Sequence, residues 1–264
     1  MIPKVIHYCW FGGNEKPKLF KKCYKSWKKY CPGYEIIEWN ESNFDISSCP
    51  LYVRQAYEAK KWAFVTDYVR LKVIYDNGGI YFDTDVELKK CPDFLLEYKA
   101  FFGFERGKCI NTGLGFGAEK GTNLLSELMQ DYDDILFIKE DGSFDITPCP
   151  ERNTDIFIKH GLIQDDSKQL IDDNILILPT SFLCPVDYKT GELKLTSETV
   201  SVHWFSASWH DSLKYDTLVA KKRAEKKLIK RKNFRDRLVH LPNYVFLKVL
   251  GQERYERLKQ SFRR

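Results

Sequence analysis

Long apolar runs are missing from this chain of 264 residues, since no stretch approaches the roughly 18 apolar residues that cross a bilayer. C-x-x-C pairs are also absent, so the eight cysteines carry no local signature of a structural zinc site. The N-terminus lacks the apolar stretch of a signal peptide, and we therefore expect a cytoplasmic protein with free, mostly buried thiols. Repeats of 20–50 residues are not visible, which disfavours a solenoid.

The composition is that of a folded globular protein. Hydrophobic residues make up 43% of the chain and charged residues 30%, which predicts an ordinary packed core rather than disorder. Aromatic residues reach 15%, a high fraction. Besides filling cores, such rings often line clefts that bind sugars or bases.

Charge is unevenly distributed along the chain. Residues 211–264 hold 17 basic and 6 acidic residues, a net charge of +11, whereas residues 1–210 carry a net charge of −6. We therefore predict a folded domain over 1–210 and a basic helical extension over 211–264. Basic residues interleaved with apolar ones suit a helix on an anionic membrane surface, which predicts a peripheral location at the inner face of the membrane. A solvated helical face is the alternative; no motif accompanies the charge to indicate nucleic acid.

The order of the predicted elements indicates an α/β fold. Periodicity and turn residues predict strands at 2–10, 34–39, 80–88, 100–105, 114–118 and 175–178, and helices at 17–30, 55–76 and 122–132. The β-α-β start is typical of a mixed or parallel sheet with helices on its faces.

Two acidic residues stand out inside the predicted strand 80–88. Side chains on a strand alternate, so Asp83 and Asp85 are expected on one face, about 7 Å apart. Two carboxylates this close repel unless a cation or a proton lies between them. The natural occupant is a hard divalent ion, Mn²⁺ or Mg²⁺, with coordination positions left for phosphate oxygens.

Three other structures could contain an Asp-Thr-Asp segment: an EF-hand loop, a phosphatase active site and an exposed edge strand. An EF-hand loop fails, because Leu88 and Phe94 stand where such a loop needs glycine and glutamate. A phosphatase with Asp83 as nucleophile is weakened by Glu87 but stays open. So does an exposed edge strand with two solvated acids.

The helix before this strand carries a second charged pair. Asp67 and Arg70 are three residues apart, hence on one helix face. If this helix face borders a cleft that also holds Asp83 and Asp85, Asp67 would accept hydrogen bonds from sugar hydroxyls at its mouth, and Arg70 would donate to hydroxyl or phosphate oxygens. A simple intrahelical ion pair is the plainer alternative.

Three segments together resemble glycosyltransferase family 32. Residues 63–85, which hold both charged pairs, resemble its sugar-binding D-x-D region, with Thr66 where the family usually has serine. Residues 2–13 resemble its N-terminal nucleotide strand, and the H-W-F-S-A-S-W run at 203–209 resembles its C-terminal signature. The resemblance implies a GT-A-type fold with a mixed, mostly parallel central sheet flanked by helices, and a retaining, metal-dependent reaction with a nucleotide-sugar donor.

The resemblance also implies residue roles. It assigns the metal to Asp83, Asp85 and His203. Asp83, Asp85 and Arg70 are the predicted catalytic residues: the metal held by the two acids would neutralise the charge on the departing diphosphate, and Arg70 would assist. Donor contacts are assigned to Trp10, Asp67, Arg70, Thr84, Asn111, Ser208 and Trp209. Trp10 would stack on the base, while Ser208 and Trp209 would close over the diphosphate.

The function expected from the sequence is hexosyl transfer in polysaccharide assembly. The donor would be a nucleoside-diphosphate hexose, with uridine favoured by family habit, and the acceptor a glycan or a lipid-linked oligosaccharide. No carboxylate is evident as a base or nucleophile for double displacement, so the acceptor is expected to attack from the leaving-group side. The alternatives are an Asp-nucleophile phosphatase or phosphotransferase and a non-catalytic, membrane-associated glycan-binding module.

Overall fold

The structure is a computed structural model and describes residues 1–105, 108–172, 174–187 and 190–206. The predicted basic extension, its boundary near 211 and its helical character lie outside the described residues. None of the helices within the described part of the chain is long and apolar enough to cross a membrane.

A central sheet organises the described residues. The strands are β1 (Val5–Cys9), β2 (Glu35–Trp39), β3 (Gly79–Tyr81), β4 (Val86–Leu88), β5 (Ala100–Glu105), β6 (Cys109–Ile110), β7 (Phe116–Ala118), β8 (Gln169–Ile171), β9 (Ile175–Leu178) and β10 (Ser201–His203). Their order in the main sheet is β2-β1-β3-β7-β5-β9-β8, with β6 paired to β5. The pairs β1–β2, β1–β3 and β5–β9 are parallel, while β7 and β8 run antiparallel to their neighbours. The predicted mixed, mostly parallel sheet is confirmed.

Helices cover both faces of this sheet. They are α1 (Lys18–Tyr30), α2 (Leu51–Glu58), α3 (Trp62–Asn77), α4 (Asn123–Gln130), α5 (Cys149–Lys159) and α6 (Thr180–Leu183). Alternate strand side chains enter separate cores: Phe101 packs with α1 and α6, and Phe102 packs with α3 and α5. This two-sided burial explains why β5 reads as a continuous apolar run.

The predicted strand 80–88 is wrong as a single element. β3 ends at Tyr81 in the main sheet, and β4 begins at Val86 in a separate two-stranded sheet with β10. Between them the chain turns, because the Val86 N–H donates to the Asp83 carbonyl oxygen at 3.0 Å. The two acids therefore lie on a tight turn, and the alternation of a strand does not place them.

The predicted helix 55–76 is also divided. α2 ends at Glu58 and α3 begins at Trp62, with Lys60 between them at a φ of +56°. A residue in this left-handed conformation cannot continue a right-handed helix, so the chain changes direction there. The helices α5 and α6 and the strands β6, β8 and β10 were not predicted.

Candidate active site

The candidate site forms where strands of the main sheet end. The Asp-Thr-Asp turn follows β3, which lies parallel to β1 with His7 opposite Tyr81. The antiparallel pairing of β10 with β4 places His203 opposite Val86, directly after that turn. The topology thus brings residues more than a hundred positions apart to the carboxyl end of β3, where ligands of α/β sheets commonly bind.

Asp85 is held by the segment that follows β10. Its Oδ1 lies 3.1 Å from His203 Nε2, and its Oδ2 accepts the Ser206 N–H at 2.7 Å. Its backbone oxygen accepts the Trp204 N–H at 3.1 Å. Burial raises the pKa of Asp85, but the charge of His203 and hydrogen bonds from His203 and Ser206 outweigh it and lower the pKa to about 2.

His203 completes a buried ion pair with Asp85. Burial lowers the pKa of His203, but the neighbouring Asp85 carboxylate dominates and raises it to about 9. The second ring nitrogen, Nδ1, is buried and has no hydrogen-bond partner among the described residues.

Asp83 has a different set of partners. Its Oδ1 accepts the Tyr81 hydroxyl at 2.9 Å, and its Oδ2 lies 3.6 Å from Arg70 Nη1. Burial, together with the charge of Asp85, raises the pKa of Asp83, while Arg70 opposes that shift. Its side chain keeps 26% of its surface exposed, against 11% for Asp85, so Asp83 is the more accessible of the two acids.

Asp67 and Arg70 meet on α3 as their spacing predicts. Arg70 Nη2 donates to Asp67 Oδ1, and Arg70 Nε donates to the Thr66 carbonyl oxygen at 2.9 Å. The guanidinium also lies over the Tyr81 ring, 5.4 Å from its centroid. The predicted intrahelical ion pair is thus present, and because Arg70 and Asp67 are 3% and 9% exposed it is buried; Arg70 also reaches Asp83.

Asn111 belongs to the same site through the loop after β6. Its Oδ1 accepts the Gly113 N–H at 2.6 Å. A Cβ on Gly113 would lie 2.5 Å from Asp83 Oδ2 and 2.8 Å from Arg70 Nη1, so the loop backbone touches both. Glycine at this position leaves room for the two charged groups.

Sequence reasoning missed two residues at this loop. Glu105, the last residue of β5, accepts a hydrogen bond from Asn111 Nδ2, and Cys149 Sγ lies 3.6 Å from Asn111 Oδ1. An acidic residue at the carboxyl end of a strongly apolar strand was the available signal for Glu105. No local pattern marks Cys149.

The other residues predicted to contact the donor, Trp10 and Thr84, have no hydrogen bond to Asp83, Asp85 or Arg70 among the described residues. Trp10 follows β1 next to β3; its Nε1 donates to the Asn14 carbonyl oxygen at 2.8 Å, and its ring packs 6.2 Å from that of Phe20. Thr84 lies half-buried within the turn. Ser208 and Trp209 lie outside the described residues, so their roles stay predictions.

Three potential ligands converge at the turn. Within the described residues, Asp83, Asp85 and His203 each offer an atom, and these atoms lie within 4.8 Å of one another. Two carboxylates with an imidazole form a donor set that fits a divalent cation. Nδ1 of His203, buried and without a hydrogen-bond partner in the described part of the chain, also fits a site that lacks one partner.

Comparison with known proteins assigns this region. Residues 17–102 match the glycosyltransferase sugar-binding region containing the DXD motif, a segment that holds Asp67, Arg70, Asp83 and Asp85. The chain is 34% identical over 104 residues to inositol phosphoceramide mannosyltransferase 3 of Schizosaccharomyces pombe. Residues 17–102 are therefore similar to a glycosyltransferase sugar-binding region with a DXD motif. This match and the mannosyltransferase alignment support the predicted family and the predicted enzyme class.

The alignments to two related proteins cover less than half of each protein. The alignment to the mannosyltransferase spans 38% of this chain and 29% of that protein. A second alignment, to the uncharacterized glycosyltransferase L373 of Acanthamoeba polyphaga mimivirus, is 30% identical over 105 residues and spans 36% of this chain and 40% of that protein. The phosphatase and the non-catalytic module are not favoured by these matches.

Solved structures that align with parts of this chain include two glycosyltransferases. The PaToxG glycosyltransferase aligns with a TM-score of 0.47 at 14% identity, over 60% of this chain and 68% of its own. A glycosyltransferase involved in the glycosylation of the major capsid of PBCV-1 aligns with a TM-score of 0.44 at 12% identity, over 83% of this chain and 100% of its own. The predicted α/β class, a mixed sheet flanked by helices, is confirmed by the strand order and the helices on both faces. The match to a glycosyltransferase region agrees with the GT-A-type fold that was predicted.

Proposed function

We propose that this protein is a retaining, metal-dependent hexosyltransferase that uses a nucleoside-diphosphate hexose, with UDP-hexose as the first candidate donor. The acceptor is a hydroxyl of a glycan or of a lipid-linked oligosaccharide in polysaccharide biosynthesis. One observation carries the proposal: Asp83, Asp85 and His203 converge beside the buried Asp67–Arg70 pair at the end of β3.

Asp83, Asp85 and His203 would hold the metal, Mn²⁺ or Mg²⁺. When bound, the ion supplies Lewis-acid stabilisation of the negative charge that develops on the diphosphate. Arg70 adds a fixed positive charge next to Asp83, and its burial strengthens that interaction because nearby water is excluded.

The remaining contacts of the donor divide between sugar and base. Asp67 accepts hydrogen bonds from sugar hydroxyls, and Asn111 and Thr84 contact the sugar as well. Trp10, whose ring is half-buried, stacks on the base. Ser208 and Trp209 close over the diphosphate.

Retention follows from the family resemblance. In the proposed step the bond between the anomeric carbon and the phosphate oxygen breaks, and a bond to the acceptor oxygen forms on the same face. The acceptor proton passes to the departing phosphate oxygen, so no base is required. A covalent glycosyl-enzyme on an Asp or Glu, detected by intact mass after donor addition, would overturn this step.

A lipid-linked acceptor accords with the strongly basic residues 211–264. The mannosyltransferase relative is named for an inositol phosphoceramide, a lipid. We expect the full chain to bind vesicles that contain an anionic lipid, through about 1 kcal/mol for each basic residue near the surface. Removal of 211–264 should abolish that binding, and unchanged binding would contradict the tethering role.

A thermal-unfolding panel tests the donor assignment. UDP-glucose, UDP-galactose and GDP-mannose are compared with and without Mn²⁺, because a ligand that binds only the folded state raises Tm. The true donor should raise Tm in the presence of Mn²⁺, and Asp83→Asn should remove the shift. If no nucleotide sugar shifts Tm, or if the shift survives in Asp83→Asn, the proposed function fails.

A further inference from the structure

Glu105 is a buried carboxylate that the proposed mechanism does not use. It ends β5, is 9% exposed, and accepts a hydrogen bond from Asn111 Nδ2. A buried charged group is costly unless it is hydrogen-bonded or paired. The position of Glu105 beside a predicted donor residue therefore calls for an explanation.

The hydrogen bonds around Asn111 fix the orientation of its amide. A carboxylate can only accept, so the nitrogen of Asn111 must face Glu105. The amide oxygen accepts the Gly113 N–H at 2.6 Å and lies 3.6 Å from Cys149 Sγ. Flipping the amide would place its oxygen against the Glu105 carboxylate and its nitrogen against the Gly113 N–H, and both contacts would repel.

This fixed amide lies against the metal and donor residues. Gly113, whose N–H holds the Asn111 oxygen, contacts Asp83 and Arg70 so closely that a Cβ there would overlap both. Cys149 lies between Asn111 and Asp67: its Sγ is 3.6 Å from Asn111 Oδ1, and the same single S–H is also within reach of the Asp67 carboxylate. Asn111 is thus joined to Asp67 on one side and to Glu105 on the other.

We propose that Glu105 is a positioning residue for the donor sugar: its carboxylate takes one Nδ2 hydrogen of Asn111 and directs the second toward a sugar hydroxyl or ring oxygen. The inference rests on the proposed function. It predicts that Glu105 affects recognition of the sugar and leaves recognition of the nucleoside diphosphate to other residues.

Calorimetric titration in Mn²⁺ separates these two recognitions. The probes are UDP-glucose, UDP-galactose and GDP-mannose, each compared with its own nucleoside diphosphate, and the comparison is made on the sugar that the wild type binds most tightly. In Glu105→Ala we expect the Kd of that nucleotide sugar to rise about tenfold or more, with the nucleoside diphosphate within twofold. Glu105→Gln keeps an accepting oxygen and should recover most of the affinity. The control variant is Glu127→Ala, since Glu127 is a carboxylate on α4 that pairs with His160 away from the candidate site.

A second pair of variants guards against simple misfolding. Asn111→Asp faces Glu105 with a like charge and should lose both stability and sugar affinity. Adding Glu105→Gln restores a hydrogen bond, now donated by the glutamine to the aspartate, but it does not restore the hydrogen for the sugar. The double variant should therefore regain Tm and still bind the nucleotide sugar at least tenfold more weakly than the wild type. Recovery of both would mean a structural role only.

The outcomes distinguish the two proposals. If the wild type binds no nucleotide sugar in the panel, the proposed function fails. If the wild type binds one and Glu105→Ala binds it equally well, or loses the nucleoside diphosphate to the same extent, the positioning role of Glu105 is wrong. A Glu105→Gln protein that binds the donor normally but is inactive would identify Glu105 as the reacting carboxylate and would also overturn the positioning role.

Discussion

Asp83 and Asp85 are two residues apart and occupy different environments. Asp85 is neutralised by His203 and by a backbone N–H of the segment after β10, so its environment is built by the end of the described chain. Asp83 faces Arg70 and Tyr81 from α3 and β3, and remains partly open. One acid is thus fixed by the protein's own charges, while the other keeps room for a ligand.

Asparagine substitutions at the two acids are expected to differ strongly in their effect on the free energy of unfolding. In the absence of metal, Asp85→Asn removes the buried ion pair with His203, whose imidazole then loses its proton, and should lower the free energy of unfolding by about 3 kcal/mol. Asp83→Asn should cost less than about 1 kcal/mol, because Arg70 keeps Asp67 as a partner. Denaturant unfolding in EDTA at pH 7 measures both.

The same two variants should behave alike toward ligands. Each removes a carboxylate from the proposed metal site, so each should weaken Mn²⁺-dependent nucleoside-diphosphate binding by at least about 100-fold. Equal destabilisation of the two variants in EDTA would contradict the difference in their environments, even if both lost nucleotide binding.

A comparison of two buried histidines extends the same reasoning. Unlike His203, His7 has no carboxylate partner among the described residues. Its Nε2 donates to the Gly78 carbonyl oxygen at 3.0 Å, and its Nδ1 accepts the Trp39 Nε1–H at 3.0 Å. Burial lowers the pKa of His7 to about 4, against only a small opposing effect of the Gly78 oxygen. Two histidines of similar burial therefore shift in opposite directions, according to whether a carboxylate is present.

His7 is therefore expected to make stability depend on pH. Between pH 6.5 and pH 4 the unfolded chain binds a proton at this residue and the folded chain does not, so stability falls as the pH falls. The loss should approach about 3 kcal/mol near pH 4. Denaturant unfolding at pH 6 and pH 4.5 should show a smaller loss in His7→Gln than in the wild type.

His160→Gln is the control for that titration. Hydrogen bonds that His160 donates to Glu127 and Asp172 raise its pKa, so between pH 6 and pH 4.5 it is mostly protonated in both states and should alter the slope little. A His7→Gln protein with the slope of the wild type would show that other groups cause the pH dependence.

Arg70→Lys tests the environment of Asp83, to which Arg70 on α3 contributes the positive charge. Arg70 donates to Asp67 and to the Thr66 carbonyl oxygen while lying beside Asp83, and a single ammonium cannot reproduce this fork. We expect the rate of donor hydrolysis or transfer to fall by about 100-fold. Lys72→Arg, a control on the same helix whose side chain pairs with Asp76, should keep the wild-type rate. A rate within threefold of the wild type in Arg70→Lys would contradict a role at the diphosphate.

The parts of the molecule that sequence predicts best are held by local patterns. The apolar runs at Ala100–Glu105 and Ile175–Leu178 are strands with the predicted ends, because burial on both faces leaves a continuous signal. Helical spacing likewise places Asp67 next to Arg70. Ile80–Leu88 was misjudged because its alternation fits a strand, whereas the break depends on pairing of β4 with β10, over a hundred residues later.

The missed site residues have the same cause. Cys149 reaches Asn111 across 38 positions, and its place is set by the packing of α5 on the loop after β6. Glu105 is near Asn111 in sequence, but β6 must first reverse against β5 before the side chains meet. Motifs therefore identified the D-x-D turn and its charged neighbour, while the contacts that orient them required the tertiary fold.

The smallest predicted effect comes from adding one methyl group at Gly113, which should displace Asp83 and leave Asp85 in place. In Gly113→Ala the new Cβ would lie 2.5 Å from Asp83 Oδ2 and 2.8 Å from Arg70 Nη1, so both must move, whereas no atom of Asp85 or His203 is among its nearest neighbours. Displacement of one ligand with the other intact should weaken Mn²⁺-dependent nucleoside-diphosphate binding by about tenfold, an order of magnitude less than loss of the carboxylate. Gly33→Ala is the matched control, because no atom lies within 4 Å of a Cβ there, and its affinity should equal that of the wild type. If Gly113→Ala also binds like the wild type, Asp83 tolerates displacement, and the metal depends mainly on the Asp85 side of the turn.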